Sequence, residues 1–99
     1  MRKAARIDRN QPEIVDALRK RGASVALLHT AHDGIPDLLV GYKGKNFLLE
    51  VKDGMKPPSG RKLTECQVVW HREWSGQAAI VTSKEEAIAL VFHEAQIPV

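Results

Sequence analysis

The chain has 99 residues, 43% of them hydrophobic, and a formal net charge of +3, which bounds it to one domain over residues 1–99 with a modest core. It has no run of about eighteen apolar residues, which excludes a transmembrane helix, and its basic N-terminus lacks the apolar stretch of a signal peptide, so a cytoplasmic protein is expected. Cys66 is the single cysteine, which excludes an internal disulfide; no Cys/His cluster has zinc-ligand spacing, and Cys66 is expected to pack as a small apolar residue.

Arg2, Lys3, Arg6 and Arg9 crowd the N-terminus. Helix one follows: Pro12 is tolerated in a first turn, Ile14, Val15 and Leu18 form an apolar stripe, and Gly22 can end it. Glu13 lies in its first turn, where the helix dipole alone favours a carboxylate, and Arg19, Lys20 and Arg21 suit its C-terminus in the same way. Ser24 to His29 reads as the first strand, leading into a loop from Thr30 to Gly34. A loop approaching the hairpin would bring His29 and His32 near a scissile phosphate, but a lone histidine is more often an ordinary loop or core residue. Asp33 before Gly34 suits a turn.

The segment from Ile35 to Lys52 reads as a β-hairpin, with an acid at its entrance and an acid and a lysine at its exit. Side chains alternate along a strand, so the turn decides which residues share a face. With Lys43-Gly44 as the turn, Asp37 faces Glu50; with Gly44-Lys45, Asp37 faces Lys52. Both registers put Asp37, Glu50 and Lys52 on one side and the apolar Leu38, Val40, Tyr42, Phe47, Leu49 and Val51 on the other.

Facing carboxylates can share a small hard cation, and phosphodiester cleavage asks for that set: a divalent metal, an activated water and a stabiliser of developing charge. Asp37 and Glu50 are the candidate ligands of Mg²⁺ or Mn²⁺, with the Val51 backbone carbonyl as a further one. Lys52 would orient or deprotonate the water, or hold the phosphate. The competing explanation is a Pro36-Asp37 turn beside an exposed Glu50–Lys52 ion pair.

The loop from Asp53 to Lys62 is rich in Gly and Pro and carries Lys56, Arg61 and Lys62; together with Arg9 these cations are the candidate contacts to backbone phosphate. Thr64 and Gln67 have capping-box spacing and open a helix through about Trp74, with Leu63, Cys66, Val69, Trp70 and Trp74 spaced for burial. Gln77 to Thr82 reads as the last strand, and Ser83 with Glu86 is a second capping signature before the apolar run from Ala87 to Phe92. The order α-β-β-β-α-β-α suggests an α/β fold, a mixed central sheet flanked by helices as in restriction-endonuclease-like proteins.

The segments Gly34-Ile35-Pro36-Asp37-Leu38-Leu39-Val40 and Phe47-Leu48-Leu49-Glu50-Val51-Lys52-Asp53-Gly54, followed by Leu63-Thr64 and by Gln67 and Trp70, resemble the PD-(D/E)xK nuclease superfamily. Within it they look like the virus-type replication-repair nuclease (VRR-NUC) domains, over the whole chain. The resemblance implies that Asp37 and Glu50 bind the metal, that Lys52 is the catalytic lysine, that Gln67 supports the site from a helix, and that Glu13 is the helix-one acid and a possible ligand. It also implies DNA as substrate in replication, recombination or repair. Stand-alone members resemble Holliday-junction resolvases, often homodimeric, whereas the domain in larger proteins cuts flaps or crosslinked DNA. The expected function is thus a structure-directed endonuclease acting on branched DNA. The alternatives are a non-catalytic DNA-binding module, a flap nuclease that needs a partner, and a small assembly protein.

Overall fold

The turn at the hairpin tip selects between the two registers. Lys43 and Gly44 both have positive φ, 50° and 78°, the type I′ geometry that suits the twist of a two-residue hairpin. Lys43 accepts the left-handed conformation there, and Gly44 adopts it without steric cost. Tyr42 pairs with Lys45 and Leu38 with Leu49, so Asp37, one residue ahead of the first arm, faces Glu50.

The computed structural model describes residues 7–28 and 33–93; His29 and His32 lie outside them, as do Arg2, Lys3 and Arg6. The elements are α1 (Gln11–Lys20), β1 (Ser24–Leu27), β2 (Leu38–Tyr42), β3 (Lys45–Val51), α2 (Glu65–Glu73), β4 (Ala78–Val81) and α3 (Lys84–Ile88), which continues into a π-helical turn, Ala89–His93. The expected α-β-β-β-α-β-α order is the observed one. The sheet is four-stranded in the order β1-β2-β3-β4. β1, β2 and β3 pair antiparallel, and β3 pairs with β4 in parallel. The β3–β4 pairing requires a crossover, which carries α2. Among the described residues no helix is long and apolar enough to cross a membrane.

Parity along the strands sorts the two faces. Leu38, Val40, Leu49 and Val51 are fully buried on one face and pack with Ile14 and Leu18 of α1, Ala87 of α3 and Val91 beyond it. Burying each of these larger side chains contributes about 1.5–3 kcal/mol, the main driving force for assembling this layer. The other face holds Glu50 and leaves Leu39 and Ile80 substantially exposed.

α2 departs from the burial expected of it. Cys66 is exposed, Val69 and Trp74 are exposed, and no α2 side chain is buried among the described residues. The reason lies in what the helix turns inward: Gln67 reaches Glu50, so α2 sits over the polar end of the sheet, away from the apolar layer. Trp70 and Trp74 stack on each other, with ring centroids 4.9 Å apart.

Candidate metal and phosphodiester site

Asp37 is set by the chain on both sides of it. Pro36 before it is fully buried, and its own carbonyl accepts a hydrogen bond from the Leu28 N–H at 2.7 Å, tying it to the end of β1. Its Oδ2 accepts the Val51 N–H at 2.8 Å. Val51 thereby meets the site through its backbone while its side chain stays in the core.

Glu50 is only 2% exposed, and its Oε1 has no hydrogen-bond partner. Burial, then the charge and the hydrogen bond of Asp37, raise its pKa to about 8 from an ordinary 4.5, against the lowering influence of Lys52. Two facing carboxyls, one of them almost wholly buried, cannot both ionise cheaply, so Glu50 holds a proton into the neutral range.

Gln67 connects the members of the site. Its Nε2 donates to Glu50 Oε2 at 3.0 Å, and its Oε1 accepts from Lys52 Nζ at 3.1 Å and from the Thr64 N–H at 2.9 Å. Thr64 Oγ1 accepts the Gln67 N–H at 3.2 Å, completing the capping box. Capping and site support, alternatives on sequence alone, are therefore served by one side chain at once. Lys52 Nζ also lies 3.8 Å from Glu50 Oε2, with both side chains largely buried, unlike the exposed edge pair that a solvated hairpin would carry.

The placement of Gln67 depends on Gly34. With φ +79°, Gly34 adopts a conformation that side chains disfavour, and a Cβ there would overlap the Cys66 carbonyl and come within 2.8 Å of Gln67 N. The bare glycine lets the loop before β2 press against the first turn of α2.

Other candidates fall elsewhere. Glu13 is exposed and lines a groove between α1 and α3 with Asp16, Lys84 and Glu85, because α1 turns Gln11, Ile14, Val15 and Leu18 inward. It also lines a second groove with Arg9, Asn10, Asp53 and Met55, and neither groove includes Asp37, Glu50 or Lys52. Arg9 makes a two-point contact with Asp53, 3.2 and 3.4 Å, and the Met55 N–H followed by Arg9 holds the Asp53 carboxyl below its usual range. Arg61 Nε donates to the Lys56 carbonyl at 2.8 Å from a short 3₁₀ turn, Pro58–Arg61. The loop from Asp53 to Lys62 thus has structure of its own, while Lys56 and Lys62 remain exposed.

Two residues near the site escaped sequence reasoning. His71 lies one helical turn beyond Gln67, and burial followed by the positive charge of Lys52 holds its imidazole below the usual value; the spacing of four from Gln67 was the available signal. Asp8, ahead of α1, is the further carboxylate whose charge acts on Glu50, and no sequence spacing marks it.

No protein-family model, curated protein or solved structure matches this chain.

Proposed function

We propose that this chain is a metal-dependent DNA endonuclease built on Asp37, Glu50, Lys52 and Gln67. The observation that carries the reading is Glu50, 2% exposed, with one oxygen unpartnered beside a second carboxylate. A buried acid facing a half-buried one is costly unless a cation joins them, and carboxylate and carbonyl oxygens suit Mg²⁺ or Mn²⁺. The residues therefore fit such an ion, held by Asp37 and Glu50 with the Val51 carbonyl as a further ligand. When bound, the ion supplies charge neutralisation at the phosphate and a bound water of lowered pKa.

The side chains of this chain do the positioning. The Val51 N–H fixes the Asp37 carboxylate, and Gln67 holds Glu50 and Lys52 at set positions. Lys52 Nζ has three donors; those left beyond Gln67 can orient the attacking water or hold a non-bridging phosphate oxygen. In the hydrolysis the water oxygen bonds to phosphorus as the bond to O3′ breaks, and O3′ takes a proton. The resulting 5′-phosphate is what resemblance to the VRR-NUC domains implies. Lys56 and Lys62, with Arg9 and Arg61 bracing the same loop region, would meet backbone phosphate. Branched DNA of the Holliday-junction kind, cut by a homodimer with paired sites, is the substrate and assembly this reading favours.

The test is incubation of purified protein with labelled four-way junction, flap, duplex and single-stranded DNA in Mg²⁺, Mn²⁺ or EDTA. Cutting that needs the metal and favours the junction is expected. Intact substrates under every condition, with DNA binding equal with and without metal, would replace cleavage by binding alone.

A further inference from the structure

Aromatic rings continue the stripe of α2 that Gln67 begins. The Trp74 N–H donates to the Trp70 carbonyl at 3.0 Å, which keeps Trp74 in helical register at the end of α2. Seven residues on from Gln67, Trp74 comes within about 20° of the same direction, about 10 Å further along the axis. Trp70 and His71 lie between them. His71 sets its ring edge against Trp70, centroids 5.1 Å apart, and Trp70 stacks on Trp74 with an interplanar angle of 16°. A Cβ on Gly76 would come within 2.9 Å of Trp74 Nε1, so the chain leaving the helix closes on that edge of the indole. The Trp74 ring is thus braced on one face and one edge, yet it stays 47% exposed.

The exposed ring is too small a surface for a protein partner. Val68 and Val69, the other large apolar residues exposed on α2, point about 100° and 160° away from Gln67 around the helix and do not extend the aromatic surface. A stable interface asks for about 800 Å² and 20–30 residues from each partner, whereas a whole tryptophan offers at most about 250 Å². A braced indole with an open face matches a planar π system of its own size, and DNA presents one in any base that has left its stack. The charges nearby suit the same ligand: Gln67 holds Lys52 Nζ at 3.1 Å at one end of the stripe, and Lys62, ahead of the α2 cap, is exposed. The distance of about 10 Å from Gln67 to Trp74 is roughly three base steps of a stacked strand.

We infer that Trp74, backed by Trp70, is a stacking platform for an unpaired DNA base within about three nucleotides of the phosphate at Lys52. The inference rests on the nuclease reading and deepens it, by naming DNA with an unstacked base beside the cut as the substrate class. An uninterrupted duplex keeps its bases stacked inside and leaves the platform unused.

Binding is measured in EDTA by fluorescence anisotropy, for a labelled single strand of about 15 nucleotides and for an abasic strand of the same length, which keeps the phosphates and lacks the bases. Wild type should bind the base-bearing strand roughly tenfold more tightly than the abasic one. Trp74→Ala and Trp74→Leu, each shown to be folded by circular dichroism, should bind both strands alike, whereas Trp74→Phe should keep most of the preference. Trp70 and Trp74 are the only tryptophans, so the protein's own fluorescence should be quenched by the base-bearing strand and not by the abasic one. Equal binding of the two strands by wild type, or a preference that persists in Trp74→Ala or Trp74→Leu, would overturn the inference. So would a dimer that forms without DNA and is lost in Trp74→Ala, since the ring would then belong to a second copy. Cleavage of the four-way junction separates the two levels: cutting without a base preference removes the platform alone, and a base preference in a protein that cuts nothing keeps the platform and removes the nuclease.

Discussion

Glu50→Gln should stabilise the metal-free protein at alkaline pH while removing a proposed metal ligand. Burial and Asp37 raise Glu50 to about 8 from 4.5, so the folded state keeps a proton that the unfolded chain releases earlier. Stability from this group is complete below 4.5 and is lost as pH rises through about 8. Between pH 7 and 9 that titration alone removes about 1.4 kcal/mol. For a domain of this size the loss is roughly 5–10 °C in Tm. His71, held below its usual value, works in the opposite sense, its contribution being lost as pH falls below the ordinary imidazole range, so the window above pH 7 isolates Glu50. Thermal melts followed by circular dichroism in EDTA should slope downward from pH 7 to 9 for wild type and run flat for Glu50→Gln. Saturating Mn²⁺ should lift the wild type most at pH 9, where the proton is most easily displaced. Equal slopes in wild type and Glu50→Gln would refute the protonated pair.

Two substitutions probe the surroundings of the site. Gly34→Ala places a methyl group against the backbone of Cys66 and Gln67 at a positive φ; a loss of about 2–3 kcal/mol in urea denaturation, with cleavage falling at least about tenfold, is expected. A fully stable and active Gly34→Ala would show that the close approach does not position Gln67. Lys62→Ala should weaken DNA binding similarly for all sequences and reduce the salt slope of log K by about one, measured by fluorescence anisotropy; an unchanged slope would remove Lys62 from the phosphate contacts.

The hairpin acids were legible from parity because both two-residue turns put Asp37, Glu50 and Lys52 on one face. Choosing Lys43-Gly44 took the backbone, since a lysine at φ 50° is not written in its side chain. Capping-box spacing marked Gln67, and its place at the site came only from the family resemblance; helical spacing misread its neighbours, because periodicity says which residues share a stripe and not which stripe turns inward. At α2 the inward group is an amide serving Glu50, and Cys66, Val69 and Trp74 are left outside. Ser83 does cap α3 through the Glu86 N–H at 3.1 Å, but the Glu86 carboxylate turns to Thr82, so the second capping signature is only half formed. Glu13 satisfied a local preference for acids in a first helical turn, and local preference places nothing across the sheet. Asp8 was invisible for the converse reason: its position follows from Arg9 and Asn10 reaching residues more than forty positions away.

The central claim is that Asp37 and Glu50 hold a divalent cation beside which Lys52 acts on the scissile phosphate. Its most direct test pairs Mn²⁺ binding with single-turnover cleavage of a labelled four-way junction for wild type, Asp37→Asn and Lys52→Ala. Asp37→Asn should lose both, whereas Lys52→Ala should keep Mn²⁺ binding and lose cleavage by about a hundredfold or more. Cleavage that survives in folded Asp37→Asn and Lys52→Ala would contradict the claim.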